Sequence, residues 1–202
     1  MTQADLNLTK SIYYLPGHGG RLETGLGEAL LSRGFNVSGR ETIGEFKKLS
    51  FGEQVALVAQ DLTSAHWHQD ARVVANSFGA YLFLHAQELI KPYIGRVLLL
   101  SPIVGEFSNE DTRTGFIPPR ADKLQKLAGS GVYPVPTHCE IHVGEHDWQS
   151  NPDNVIEFAS LLGLSVTVVP NAGHMLDKSY VSALLDRWLS SAANWPCSNA
   201  LD

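Results

Sequence analysis

Val73-Val74-Ala75-Asn76-Ser77-Phe78-Gly79-Ala80-Tyr81 is the most informative segment of the chain. An apolar run enters a serine with a small residue two positions away on each side, and helix-compatible sequence follows. That is the layout of a nucleophile elbow, a strand-to-helix turn too tight for side chains at its flanks. Such a turn lifts the serine hydroxyl clear of the sheet and aims the Phe78 N–H into the same space. Gly79 meets the pattern fully. Ala75 replaces the usual first glycine, which is cheap where φ is negative and costly where it is positive. The competing reading is a serine that merely caps an ordinary helix.

Strands and helices alternate outward from this stretch in both directions. Ser11 to Leu15 reads as a first strand, ended by Pro16-Gly17. Leu22, Leu26, Ala29 and Leu30 then share one helical face, and Gly34 closes that helix. Phe35 to Gly39 is a short second strand. Ser50-Phe51-Gly52-Glu53 has capping-box spacing and opens a helix faced by Phe51, Val55, Val58 and Leu62.

Arg72 to Ala75 is the third strand, and the helix after Ser77 runs to about Ile90. Arg96 to Leu100 is a fourth, continuously apolar from Val97 onward and so expected to be buried on both faces. Cys139 to Val143 is a fifth. Asn151-Pro152 starts a helix with Val155, Ile156, Ala159 and Leu162 turned inward and Gly163 as terminator. Ser165 to Val169 is a sixth strand, and Val181, Leu184, Leu185, Trp188 and Leu189 mark a last helix.

This rhythm predicts an α/β fold, a three-layer α/β/α sandwich around a mostly parallel, six-stranded, doubly wound sheet. Residues 1–195 are expected to form one domain, with 196–202 a disordered tail. The rhythm breaks between Gly105 and Pro136, which holds Pro118-Pro119, Gly129-Ser130-Gly131 and room for one helix near Asp122 to Ala128. An insertion of that length is expected to act as a lid or binding loop.

Bulk properties narrow the function. The 202 residues are 44% hydrophobic and 18% charged, as in an ordinary globular protein. A formal net charge of −6 and a pI near 5.7 argue against nucleic acid or an anionic membrane as partner. Cys139 and Cys197 are too few for a disulfide framework. Met1 to Lys10 lacks the layout of a signal peptide and no apolar run is long enough to span a bilayer, so a cytoplasmic location is expected.

Open parallel sheets bind ligands beyond the carboxyl ends of their strands. After the first strand stands Pro16-Gly17-His18-Gly19-Gly20, and after the third, Ser77. After the fifth stands Gly144-Glu145-His146-Asp147, and after the sixth, Asn171-Ala172-Gly173-His174. A serine, an acid and a histidine therefore converge on one edge, in the order Ser77, Asp147, His174.

With these motifs the chain resembles an α/β-hydrolase of the short, cap-less branch, matched from Ile12 to Leu189 and beginning at what is the third strand of the full family fold. The resemblance implies a serine hydrolase cleaving a small carboxylic ester or thioester through an acyl-enzyme, with no metal or organic cofactor. Ser77 would attack, His174 take and return the proton, and Asp147 orient the ring. Phe78 N–H and that of Gly20 or Gly19 would hold the oxyanion. A non-catalytic binding module on the same fold, or a cofactor-free lyase or acyltransferase, remains open.

Several residues admit two readings. Glu145 is a second candidate for the acid. His18 is a structural residue of the glycine loop or a substrate contact. Trp148 and Met175, beside the acid and the base, wall the cleft or belong to the core. Phe107, Phe116, Ile117 and Tyr133 form an acyl or alcohol pocket, or fold back on the core. His142 and His146 have zinc-like i, i+4 spacing, which aligns ligands only on a helix, and this segment reads as a strand entering a loop.

Overall fold

The computed structural model describes residues 10–109 and 113–190. Its strands are β1 (Ser11–Leu15), β2 (Asn36–Gly39), β3 (Arg72–Asn76), β4 (Arg96–Leu100), β5 (Phe107–Asn109), β6 (Thr114–Phe116), β7 (His138–Gly144) and β8 (Ser165–Val169). Its helices are α1 (Leu26–Leu31), α2 (Gly44–Lys48), α3 (Phe51–Ala65), α4 (Phe78–Gln87), α5 (Lys123–Gly129), α6 (Pro152–Leu161) and α7 (Lys178–Ser190). Six strands form one sheet in the order β2-β1-β3-β4-β7-β8, and every pairing in it is parallel.

The pleat sorts the strand residues into two cores. Ile12, Tyr14, Val74, Leu98 and Leu100 face α1 and α7, packing with Leu30, Leu184, Leu185 and Trp188. Tyr13, Leu15, Val73, Ala75, Val97 and Leu99 face α3, α4 and α6, packing with Val55, Val58, Leu62 and Phe158. Helices cover both faces, which is why Val97 to Leu100 is apolar without alternation. The fold is the three-layer sandwich the sequence pattern calls for.

Local signals act as their chemistry requires. Ser50 and Glu53 form the capping box of α3. Asn151 caps α6 by accepting from the N–H groups of Asp153 and Asn154 at 2.9 and 3.4 Å, with Pro152 at the first helical position. Among the described residues, no helix is long and apolar enough to cross a membrane.

Three local expectations are corrected, and one short helix went unread. The first helix begins at Leu26 rather than Leu22, because the chain turns at Gly25 (φ 57°) and a side chain at Gly27 would overlap the Leu22 carbonyl. Leu22 still packs on the same core from outside the helix. In α6 Val155 and Ala159 are buried as expected, but Phe158 joins them in place of Ile156, which is 43% exposed. The short α2 has no apolar period to announce it. Between Gly105 and Pro136 the chain is less irregular than its composition suggests, since β5 and β6 pair as an antiparallel hairpin ahead of α5. Residues 196–202, read as a tail, lie outside the described residues.

Candidate active site

Ser77 directly follows β3 and is the N-cap of α4, with φ 51° and ψ −120°. Left-handed φ at a non-glycine residue costs about 1–3 kcal/mol and persists only where the surroundings over-determine it. Here the Ser77 N–H donates to the Leu100 carbonyl at 2.9 Å, and its own carbonyl accepts from Tyr81 N–H at 3.0 Å. A side chain at Gly79 would overlap the Leu15 carbonyl oxygen, so that flank of the elbow must be glycine. Ala75 is ordinary extended strand, registered between Leu15 and Leu99. Its methyl is therefore harmless, and the strain falls on the serine instead.

The Ser77 side chain does not cap its helix. Its Oγ lies 2.8 Å from Nε2 of His174, and Nδ1 of His174 lies 2.9 and 3.0 Å from the two carboxylate oxygens of Asp147. Asp147 sits in the turn after β7 and is 1% exposed. Its Oδ1 also accepts from the N–H groups of Gln149 at 3.0 Å and Ser150 at 2.8 Å. With Nδ1 donating to the carboxylate, Nε2 is left as an acceptor for the Ser77 hydroxyl. This arrangement can pass a proton from serine to imidazole beside a fixed negative charge.

The turns that carry Asp147 and His174 are stitched to one another. His146 N–H donates to the Ala172 carbonyl at 2.8 Å, and a side chain at Gly144 would overlap the Gly173 carbonyl oxygen. Glu145 takes part in this stitching, accepting from the Asn171 N–H at 2.8 Å. It makes no hydrogen bond to His174, so the carboxylate brought to that ring is Asp147's.

The glycine loop after β1 reaches Ser77 from the other side. A Cβ on Gly17 would stand 3.3 Å from the Ser77 Cβ and 3.0 Å from Nδ2 of Asn76. Asn76 is itself held by Tyr14, whose hydroxyl donates to Oδ1 at 2.9 Å and whose pKa burial pushes well up, keeping it a donor. Gly20 is a correction. Its N–H points to the Gly17 carbonyl at 2.9 Å and to Oγ1 of Thr42 at 3.0 Å, and Thr42 also donates to the Gly17 carbonyl. That N–H is spent on shaping the loop, which leaves Gly19 as the sequence-predicted second donor. The Phe78 N–H is in the first turn of α4, where no intrahelical acceptor exists.

A cavity of about 510 Å³ opens between the β5–β6 hairpin and the start of α6, walled by Phe107, Phe116, Ile117 and Trp148 with Glu106 and Asn154. Phe107 packs on Phe116 at 5.4 Å and edge-on to Trp148 at 5.7 Å between ring centroids. Met175, at 87% exposed, and the exposed His18 lie outside this cavity. His18 instead sets its ring edge-on to Phe78, 6.1 Å between centroids. Tyr133 belongs to the core and donates to the Leu84 carbonyl. His142 is engaged at both ring nitrogens, by Tyr180 and Glu140, and His146 lies beyond the strand.

Two residues that hold the site went unread in the sequence, Ser101 and Ser150. Ser101 follows β4 directly, so the strand-end rule that found Ser77 applies to it equally. No local pattern marks Ser150.

No family model matches the sequence, and no curated protein matches it significantly. Solved structures do match by shape. The ydeN gene product of Bacillus subtilis superposes with a TM-score of 0.61 at 14% identity, covering 90% of this chain and 100% of that one. Carboxylesterase CesB (YbfK) of the same organism gives 0.62 at 16% identity, covering 89% and 83%. Mouse alpha/beta hydrolase domain-containing protein 10 gives 0.63 at 15% identity, covering 89% of each chain. The chain has the α/β-hydrolase fold. In an α/β-hydrolase sheet the carboxyl edge is where loops gather ligands, and Ser77, Asp147 and His174 all stand there.

Proposed function

We propose that this protein is a serine hydrolase that cleaves a small carboxylic ester or thioester through an acyl-enzyme. The observation that carries the reading is the unbroken chain from a strained serine hydroxyl through His174 to buried Asp147, at 2.8 and 2.9 Å. The carboxylesterase of like fold supports the ester class.

In the first half-reaction Ser77 Oγ attacks the substrate carbonyl carbon while Nε2 of His174 takes the hydroxyl proton. The imidazolium is balanced by Asp147, and the oxyanion forms against the N–H groups of Phe78 and Gly19. Collapse breaks the bond to the alcohol or thiol, which leaves with the proton from His174. Water then attacks the acyl-enzyme with Nε2 as base, and the carboxylic acid departs as Ser77 recovers its proton.

The test is labelling with a fluorophosphonate probe alongside turnover of p-nitrophenyl acetate. Native protein labels and turns over; Ser77→Ala does neither, and His174→Ala labels far more slowly. Absence of labelling in the native protein, or undiminished labelling of Ser77→Ala, overturns the reading.

A further inference from the structure

Ser101 stands beside Ser77 at the carboxyl edge of the sheet, because Asn76 of β3 is in register with Leu100 of β4. The two serines share an unusual backbone, φ 51° at Ser77 and 45° at Ser101. Their side chains point to different parts of one residue. Ser77 meets the ring of His174, whereas the Ser101 hydroxyl donates to the His174 main-chain carbonyl at 3.0 Å. Ser101 is 3% exposed.

The bonds around Ser101 close a ring. Its carbonyl accepts from the Ser150 hydroxyl at 2.6 Å, Ser150 N–H donates to Asp147 Oδ1 at 2.8 Å, and Asp147 meets His174 Nδ1 at 2.9 Å. Acid and base are thus tied twice, once through their side chains and once through two serines.

We propose that Ser101 is a positioning residue that sets His174 against Ser77 by holding the backbone of the base; this rests on the serine-hydrolase reading above. The imidazole must satisfy Ser77 and Asp147 together, and a displaced Cα cannot be corrected by ring rotation without losing one of them. The turn that carries His174 is stitched to the acid turn after β7 through Ala172 and Asn171. Ser101 adds a tie from β4, the strand that adjoins the nucleophile. Glycine would meet the left-handed φ without strain but has no hydroxyl. Serine at this position accepts the strain and supplies the donor.

The experiment measures kcat and KM for p-nitrophenyl acetate in Ser101→Ala, Ser101→Gly, Ser150→Ala and the Ser101→Ala/Ser150→Ala pair, with Ser77→Ala as reference and circular dichroism to confirm folding. Loss of positioning lowers kcat about 10- to 100-fold in Ser101→Ala with KM within about twofold of native. Ser101→Gly falls as far, although it relieves the backbone. The double variant loses less than the product of the single losses, because both serines serve one ring. Native kcat in Ser101→Gly, or a rise in KM with kcat unchanged, overturns the proposal. If Ser101→Ala does not fold, Ser101→Gly and Ser150→Ala decide it. Turnover surviving in Ser77→Ala overturns the hydrolase reading itself. An inactive Ser77→Ala beside a fully active Ser101→Gly overturns only the role given to Ser101.

Discussion

The strand-end cluster and the seat of the insertion on α4 are both polar and buried, and they are built in opposite ways. At the strand ends Ser77, His174, Asp147, Ser101 and Ser150 are joined by hydrogen bonds into one network. Along α4 and its C-cap, beneath the insertion, both ring nitrogens of His85, Oε1 of Gln87 and Oε2 of Glu88 make no hydrogen bond. The insertion is held there by Lys123 on Glu88 at 2.8 Å and by Tyr81 donating to the Pro119 carbonyl at 2.7 Å. A fully satisfied network fixes one geometry, while unpartnered buried groups cost stability without fixing anything. Precision is concentrated where a proton would move, and the seat of the insertion is comparatively under-determined.

The largest effect should come from breaking the satisfied side. Asp147→Asn should lower kcat for p-nitrophenyl acetate by a factor on the order of 10⁴, since the amide favours the wrong tautomer of His174. Glu145→Gln, measured in the same assay, separates the two acids and should leave kcat near native. A comparable loss in Glu145→Gln would dissolve the distinction drawn between them.

Gly79→Ala tests the backbone beneath that network. Its methyl would collide with the Leu15 carbonyl, a rigid strand atom, so thermal unfolding should show a loss of about 3 kcal/mol. A loss under about 0.5 kcal/mol would show that the elbow has room to relax.

The under-determined side should reveal itself in acid. Burial, then the nearby Arg120 and Lys123 charges, push the His85 pKa down from 6.5 to about 3. The folded state therefore refuses a proton that the unfolded chain takes up below about pH 6.5. Stability is full above that pH and falls as pH drops toward 3. His85→Phe keeps the edge-on contacts with Tyr81 and Phe51 and removes the titration. Its melting temperature should decline less than native between pH 6.5 and 4. Glu140 adds a further loss at lower pH. The hydrogen bond from His142, then Arg187, hold its pKa at about 2, so its contribution fades from pH 4.5 downward.

Much of this was legible in the sequence, for identifiable reasons. Strands buried on both faces wrote themselves as apolar runs, and Gly34, Gly163 and Pro152 marked helix ends because only those residues suit the backbone there. The strand-end rule located Ser77, Asp147 and His174 because parallel strands all deliver their carboxyl ends to one edge. What stayed hidden depended on contacts across the chain. The engagement of the Gly20 N–H depends on Thr42, 22 residues away, and no local pattern shows it. The β5–β6 hairpin is three residues deep on each side, too short to produce a period. Ile156 and Phe158 both suit an inward face by hydrophobicity, and packing alone chose Phe158.

One consequence follows from the place of β8 at the margin of the sheet. Ser77 and His174 are 97 positions apart in the chain, and His174 hangs from the turn after a strand that, among the described residues, pairs only with β7 and is largely exposed. During synthesis the constellation cannot close until this late-made edge is zipped on, so a nascent chain would carry its serine without its base. Unzipping the same edge, which takes less than melting the interior strands, would part His174 from Ser77 while most of the secondary structure persists.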